Sequence, residues 1–184
     1  MKKLILIWCL LGVCWTAFTQ DSVNFGIKAG GNAASHAGTG LVNDPNNNIY
    51  SFHLGVFGQL PLTSDVVLSP EILYTNKGFK RRSIIFQSPY IDFSLLSKIN
   101  LGDSQAYCVI GPYLSYQLEK EFLYTTSQKT YDFGGNLGIG FRVQKHLRIE
   151  AIFQTSANVW TAPRPMGEGY RLTQVTLSAL YLIR

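Results

Sequence analysis

The chain has 184 residues, with 16 basic against 11 acidic side chains, three cysteines and a formal net charge of +5. That length suits one domain and leaves no room for a kinase or a two-domain enzyme. The basic surplus is spread without a long block, which excludes a nucleic-acid partner.

Residues 1–20, "MKKLILIWCLLGVCWTAFTQ", read as a secretory signal peptide: two lysines, an apolar run, then small and polar residues. The run is too short for a comfortable membrane-spanning helix. Cleavage is expected near Thr19 or Gln20, leaving 21–184 as a single domain. "LGVC" also suggests a lipoprotein signal ending at Cys14, but Val13 stands where a small residue is usual, so lipidation is disfavoured. Loss of Lys2 and Lys3 leaves 14 basic against 11 acidic residues. Cys9 and Cys14 leave with the signal, and Cys108 alone supports neither a disulfide framework nor a cysteine metal cluster.

The mature chain is dominated by a period of two, the mark of strands with two unlike faces. Val23, Phe25, Ile27 and Ala29 alternate with Asn24, Gly26, Lys28 and Gly30. Phe52, Leu54 and Val56 alternate with Ser51, His53, Gly55 and Phe57. Leu68, Ile72 and Tyr74 oppose Glu71, Thr75 and Lys77. In "YIDFSLLSKINL", Tyr90 to Leu101, one face carries Ile91, Phe93, Leu95, Ile99 and Leu101, and the other Asp92, Ser94, Lys98 and Asn100. Gln105 to Leu118 is strand-like, but Pro112 and mixed parity leave its faces open.

"YDFGGNLGIGF", Tyr131 to Phe141, contains the Asp-Phe-Gly triplet of kinases and a density of glycines. A phosphate loop needs a preceding strand, a following helix and a lysine at fixed spacing, and none is here. Thr130 to Val143 reads instead as a strand with Asp132, Gly134, Asn136, Gly138, Gly140 and Arg142 on one face, the glycines making space for bulky neighbours. Ile149, Ala151 and Phe153 then oppose Arg148, Glu150 and Gln154, and Val175, Leu177, Ala179, Tyr181 and Ile183 oppose Gln174, Thr176 and Ser178. The expected total is eight strands.

Short connections at Pro61–Asp65, Gly102–Ser104 and Gln144–Leu147 alternate with longer ones near His36–Asn48, Arg81–Ser88, Glu119–Lys129 and Thr161–Gly169. Outer-membrane barrels have that asymmetry. Alternation alone also fits a soluble lipocalin-like barrel. The second face mixes glycine, asparagine and opposite charges where a soluble surface would carry more Lys and Glu. Tyr50, Tyr74, Tyr90, Tyr124, Tyr131, Trp160, Tyr170 and Tyr181 are expected as interfacial girdles. The sequence therefore predicts an all-β fold, an eight-stranded antiparallel up-and-down transmembrane β-barrel in the outer membrane of a Gram-negative bacterium.

"NFGIKAGGNAAS", "SPEILYTNKGFK", "YIDFSLLSKINL", "AYCVIGPYLSYQL", "YDFGGNLGIGFRVQKHLRIEAIFQ" and "TQVTLSALYLIR" follow in that order. Together they resemble the PorT-like small outer-membrane β-barrel proteins, over nearly the whole mature chain. The resemblance implies fold and location more strongly than activity. The chain departs from the pattern at its last residue, Arg184, where such barrels commonly carry an aromatic.

Lys28, Glu71, Lys77, Asp92, Lys98, Asp132, Arg142, Arg148 and Glu150 share the lumen parity. Charges out of bulk water need partners, so these nine are expected to form a charge network filling a barrel too narrow for a solute channel. That polar plug is favoured over proton or small-ligand passage. No enzyme is expected: His36 beside Ser35 reads as a solvated loop histidine, His53 as an interior residue and His146 as a turn residue, without the geometry of nucleophilic catalysis. No cofactor or metal is expected; "NDPNNN", Asn43–Asn48, has too few carboxylates for calcium and reads as a loop tip. The expected function is that of a monomeric, non-enzymatic outer-membrane barrel, surrounded by outer-membrane lipids, structural or docking a protein or glycan through external loops such as "KRRSIIFQSP". The alternatives are a soluble carrier of a hydrophobic ligand and, behind it, a lipid-modifying hydrolase.

Overall fold

A computed structural model describes residues 23–38, 48–81, 84–118, 131–157, 160–161 and 169–183. They form β1 (Asn24–Gly38), β2 (Ile49–Pro61), β3 (Val66–Arg81), β4 (Ile84–Asn100), β5 (Ala106–Gln117), β6 (Tyr131–Arg142), β7 (Leu147–Ser156), the two-residue β8 (Trp160–Thr161) and β9 (Gly169–Leu182). From β1 to β7 each strand pairs antiparallel with the next, β7 pairs with β9, the short β8 joins the ladder of β9, and β9 returns to β1. The sheet is thereby closed into an eight-stranded barrel. The segment 1–20, Asn43–Asn47, Glu119–Lys129 and Arg184 lie outside the described residues.

The strands tilt. A circuit of ladder partners leaving β1 at Gly26 passes through Phe57, Glu71, Ser94, Tyr113, Gly134 and Ser156. Beside Ser156, Thr155 pairs with Thr173, and Thr173 pairs with Ser35. The circuit thus comes back well along β1 from its start, which is the stagger that closure requires.

Side chains alternate around this wall with apolar residues outside. Ile27, Val56, Ile72, Phe93, Leu114 and Phe133 are successive ladder partners on β1 to β6, and all six are exposed. They form a continuous apolar ridge across six strands. Beside it runs a groove of about 770 Å³ floored by Gly58, Pro70 and Pro112. Pro70 has no N–H to give β2, and Ser69 Oγ compensates by donating to the Gly58 carbonyl at 2.8 Å. Leu137 and Leu177 are each 61 % exposed, whereas Asp132 and Glu150 are fully buried inside. Water would disfavour such a surface strongly, and hydrocarbon suits it. A soluble carrier needs the opposite arrangement, so that alternative falls.

The structure corrects several expectations. The Arg81–Ser88 connection is mostly strand, since Arg81 pairs with Ile84 and Phe79 with Phe86. From Gly78 to Arg81 and Ile84 to Gln87 the two strands pair with each other and with no third strand among the described residues. They make a ribbon projecting past the barrel rim. His36 belongs to β1, opposite Leu172 of β9, and not to a loop. Thr161 and Gly169 are likewise a ladder pair. Tyr90 is buried inside and is no girdle residue, while Tyr50, Tyr131 and Tyr181 do face outward. Tyr124, and the side chains of Trp160 and Tyr170, lie outside the described residues. On β5 the open question resolves: Tyr107, Val109, Tyr113, Ser115 and Gln117 point in, and Ile110, Leu114 and Tyr116 point out.

Candidate functional site

Four of the nine expected lumen charges meet in one ring. Lys28 Nζ lies 2.8 Å from Glu71 Oε2 and 2.8 Å from Glu150 Oε2. Lys98 Nζ lies 3.1 Å from Glu71 Oε1 and 2.6 Å from Glu150 Oε1. Each lysine thus bridges both glutamates, and four strands (β1, β3, β4 and β7) are tied across the lumen. Ser69 Oγ adds a bond to Glu71, and Tyr107 donates its hydroxyl to Glu150 Oε1 at 2.9 Å. The ring has no net charge and is almost wholly out of water. Such a group is stable only when every member is satisfied, and loss of one member leaves an uncompensated buried charge.

A second cluster sits nearer the long-connection end. Lys77 Nζ lies 2.8 Å from Asp92 Oδ2 and donates to Ser115 Oγ, which in turn donates to Asp92 Oδ1 at 2.6 Å. The ammonium also sits 4.7 Å from the centre of the Tyr113 ring. Tyr113 donates its hydroxyl to Asp132 Oδ2 at 2.8 Å, and Ser156 donates to Asp132 Oδ1. Between the clusters, His53 Nδ1 contacts Asn32 Oδ1 and Nε2 lies 2.9 Å from Ser178 Oγ. Both ring nitrogens are engaged, and His53 and Ser178 are buried beside a cavity of about 30 Å³, with no room for a substrate.

Arg142 and Arg148 stand apart at the short-turn end. They are direct ladder partners on β6 and β7. Each guanidinium carbon lies 6.0 Å from the centre of the Tyr107 ring. Arg142 donates to Asn100 Oδ1, and the Nε of both arginines is buried without a hydrogen-bond partner. The structure therefore brings Lys28, Glu71, Lys98 and Glu150 together, joins Lys77 to Asp92, holds Asp132 on hydroxyls, and leaves Arg142 and Arg148 outside these ion pairs.

The inward glycines create the space that these groups occupy. A Cβ on Gly140 would run into the Tyr107 ring of its own ladder partner, and one on Gly134 would meet Tyr113 Cε1 at 2.9 Å. Gly26 makes the same allowance for Phe57. Tyr107 and Tyr113 were the residues missed from sequence. Their signal was present, since each faces a glycine across the β5–β6 ladder, but it becomes readable only once that register is known. Two interior cavities beside these clusters are small, about 30 Å³ beside Lys28 and His53 and about 10 Å³ beside Lys77. The first is room for a water or two and the second for one at most. Among the described residues no group of three or more His, Cys, Asp or Glu converges as metal ligands do.

A family model described as "Outer membrane protein beta-barrel domain" matches residues 18–156. No curated protein sequence matches the chain. Among solved structures it is similar to Neisserial surface protein A, at 14 % identity and a TM-score of 0.57, over 88 % of this chain and 99 % of that one. It is also similar to Ail, the attachment invasion locus protein of Yersinia pestis, at 14 % identity and a TM-score of 0.50, over 87 % and 98 % of the two chains. At these identities the likeness speaks for the fold.

Proposed function

Because this chain belongs to the outer membrane protein β-barrel domain family and resides in the outer membrane of a Gram-negative bacterium, we propose that it is a non-enzymatic display scaffold. Its barrel is a rigid, closed stave ring, and its work is done by what that ring holds outside the cell. The observation that carries this reading is the pairing of a filled interior with a projecting ribbon. Side-chain clusters leave interior cavities of about 30 and 10 Å³, too small for a solute path. The β3–β4 ribbon, Gly78–Arg81 against Ile84–Gln87, extends beyond the ladders of β2 and β5. Short turns face the periplasm and long connections the exterior in such barrels, which puts the ribbon outside. An unaccompanied ribbon offers unpaired edges, and partner strands add to edges of that kind. Protein or glycan docking at this ribbon is therefore favoured over catalysis, since the His53–Ser178 pair is buried beside a cavity of only about 30 Å³. The loose PorT-like phrases agree with a small envelope barrel and supply no further role. Residues 1–20 are proposed as the cleaved export signal.

The test has two readings. Purified protein in planar bilayers is expected to give no steady conductance, and a stable open channel would sink the scaffold reading. In cells, a photo-crosslinker at Lys80 is expected to give one discrete adduct. Replacing Gly78–Gln87 by an Asn-Gly turn should abolish the adduct while the barrel keeps its heat-modifiable gel mobility. No adduct from Lys80, with the barrel intact, rejects the ribbon as the docking element.

A further inference from the structure

The short-turn mouth of the barrel carries positive charge that the protein answers only in part. Arg142 and Arg148 face each other directly across the β6–β7 ladder, on the lumen parity. Like charges so placed repel. Among the described residues neither arginine has a carboxylate within ion-pair distance. Glu150, two residues from Arg148, has both oxygens taken by Lys28, Lys98 and Tyr107. Asp65 and Asp103, on the short turns at this end, are exposed and make no ion pair. What the arginines do have is one amide oxygen from Asn100 for Arg142, the Tyr107 hydroxyl and the attraction of Glu150 for Arg148, and the face of Tyr107, 6.0 Å from each guanidinium carbon. A ring face compensates a cation weakly compared with an anion.

The hydrogen-bond deficit has the same sign. Among the described residues, four buried side-chain atoms lack a partner: Gln59 Nε2, Arg142 Nε, Arg148 Nε and Gln174 Oε1. Three of the four are donors, and all three belong to residues within three positions of a strand's short-turn end, at Pro61, Arg142 and Leu147. Buried donors without acceptors are costly, so a cluster of them marks a place short of an acceptor. Two guanidiniums, each with an Nε–H unused, suit the several oxygens of one oxyanion.

We propose that Arg142 and Arg148 form an oxyanion-binding site at the periplasmic mouth, with Asn100 and Tyr107 fixing Arg142 and the guanidinium planes, and that its ligand is a phosphate group. The phosphate has two sources at that level of the membrane, free phosphate in the periplasm and the headgroup of an inner-leaflet phospholipid. This site is independent of the outward docking role, since the ribbon lies at the other end of the barrel.

The experiment follows the arginine Nε–Hε resonances of labelled full-length protein in phosphatidylcholine nanodiscs. Inorganic phosphate is titrated in one arm, and phosphatidylglycerol replaces a fraction of the lipid in the other. A saturable shift of both resonances with inorganic phosphate supports the site with a free ligand. A shift with phosphatidylglycerol alone supports it with a headgroup ligand. Arg148→Gln should weaken the response of Arg142 at least tenfold, and Lys145→Gln, in the neighbouring exposed turn, should leave it within twofold. Both variants must retain heat-modifiable mobility. Resonances that stay still in both arms, shift without saturation, or respond equally in Arg148→Gln overturn the proposal.

Discussion

The ring at Lys28 and the mouth at Arg142 are built from the same materials and differ in completeness. Both arise from charged residues at lumen parity, and both touch Tyr107, whose hydroxyl serves Glu150 while its ring lies 6.0 Å from each arginine. In the ring, two lysines and two glutamates close on one another with every carboxylate oxygen in contact. At the mouth, Arg142 has one amide oxygen, Arg148 has the Tyr107 hydroxyl, and both lie over one ring face. The difference teaches that parity decides which side of the wall a charge occupies, and cross-strand stagger decides whom it meets. Lys28 and Glu71 are two strands apart, and their side chains meet across β2, where Gly55 is the ladder neighbour of Lys28. Arg142 and Arg148 are brought face to face by the register of the β6–β7 hairpin, without an acid between them.

Mutations can break this contrast. Glu150→Ala should be the most damaging, because Lys28, Lys98 and Tyr107 would lose an acceptor at once. Breaking a buried pair costs about 3–5 kcal/mol, to be read from urea unfolding in detergent micelles; a loss under about 1 kcal/mol would mean that the ring is not closed in solution. Gly140→Val should come next, at roughly 1–3 kcal/mol, by forcing Tyr107 off both sites. Tyr107→Ala in the same chain should recover part of that loss, and strict additivity of the pair would refute the steric account. Tyr113→Phe removes one of the hydroxyls on Asp132 and should cost about 1–2 kcal/mol, which the same unfolding curves resolve. Arg148→Gln should matter least, within about 0.5 kcal/mol, since the repulsion it relieves offsets the loss of one ring contact and one hydrogen bond to Tyr107. If Arg148→Gln destabilised as much as Glu150→Ala, mouth and ring would be equally completed and the contrast would be void.

Much of the wall was legible in the chain. The alternation of Ile91, Phe93 and Leu95 with Asp92 and Ser94 named both faces of β4, and the short turns at Pro61–Asp65 and Gly102–Ser104 set the direction of the strands beside it. The length of β4 was not legible, because Ile84, Ile85 and Phe86 carry no alternation and sit beside a basic run that reads as loop. The faces of β5 were hidden by Pro112, whose missing N–H says nothing about which way its neighbours point. Tyr90 reads in the sequence as an interfacial aromatic because a tyrosine near a strand end satisfies either role, and only its burial beside Lys77 separates them.

By itself, then, the sequence determined that this chain makes a wall of strands with one apolar and one charged face, because a period of two is a local property that the residues carry in themselves. The partners inside that wall belong to the tertiary structure alone. Which lysine meets which glutamate depends on register and stagger accumulated round eight strands, and no local pattern records a sum taken over the whole barrel.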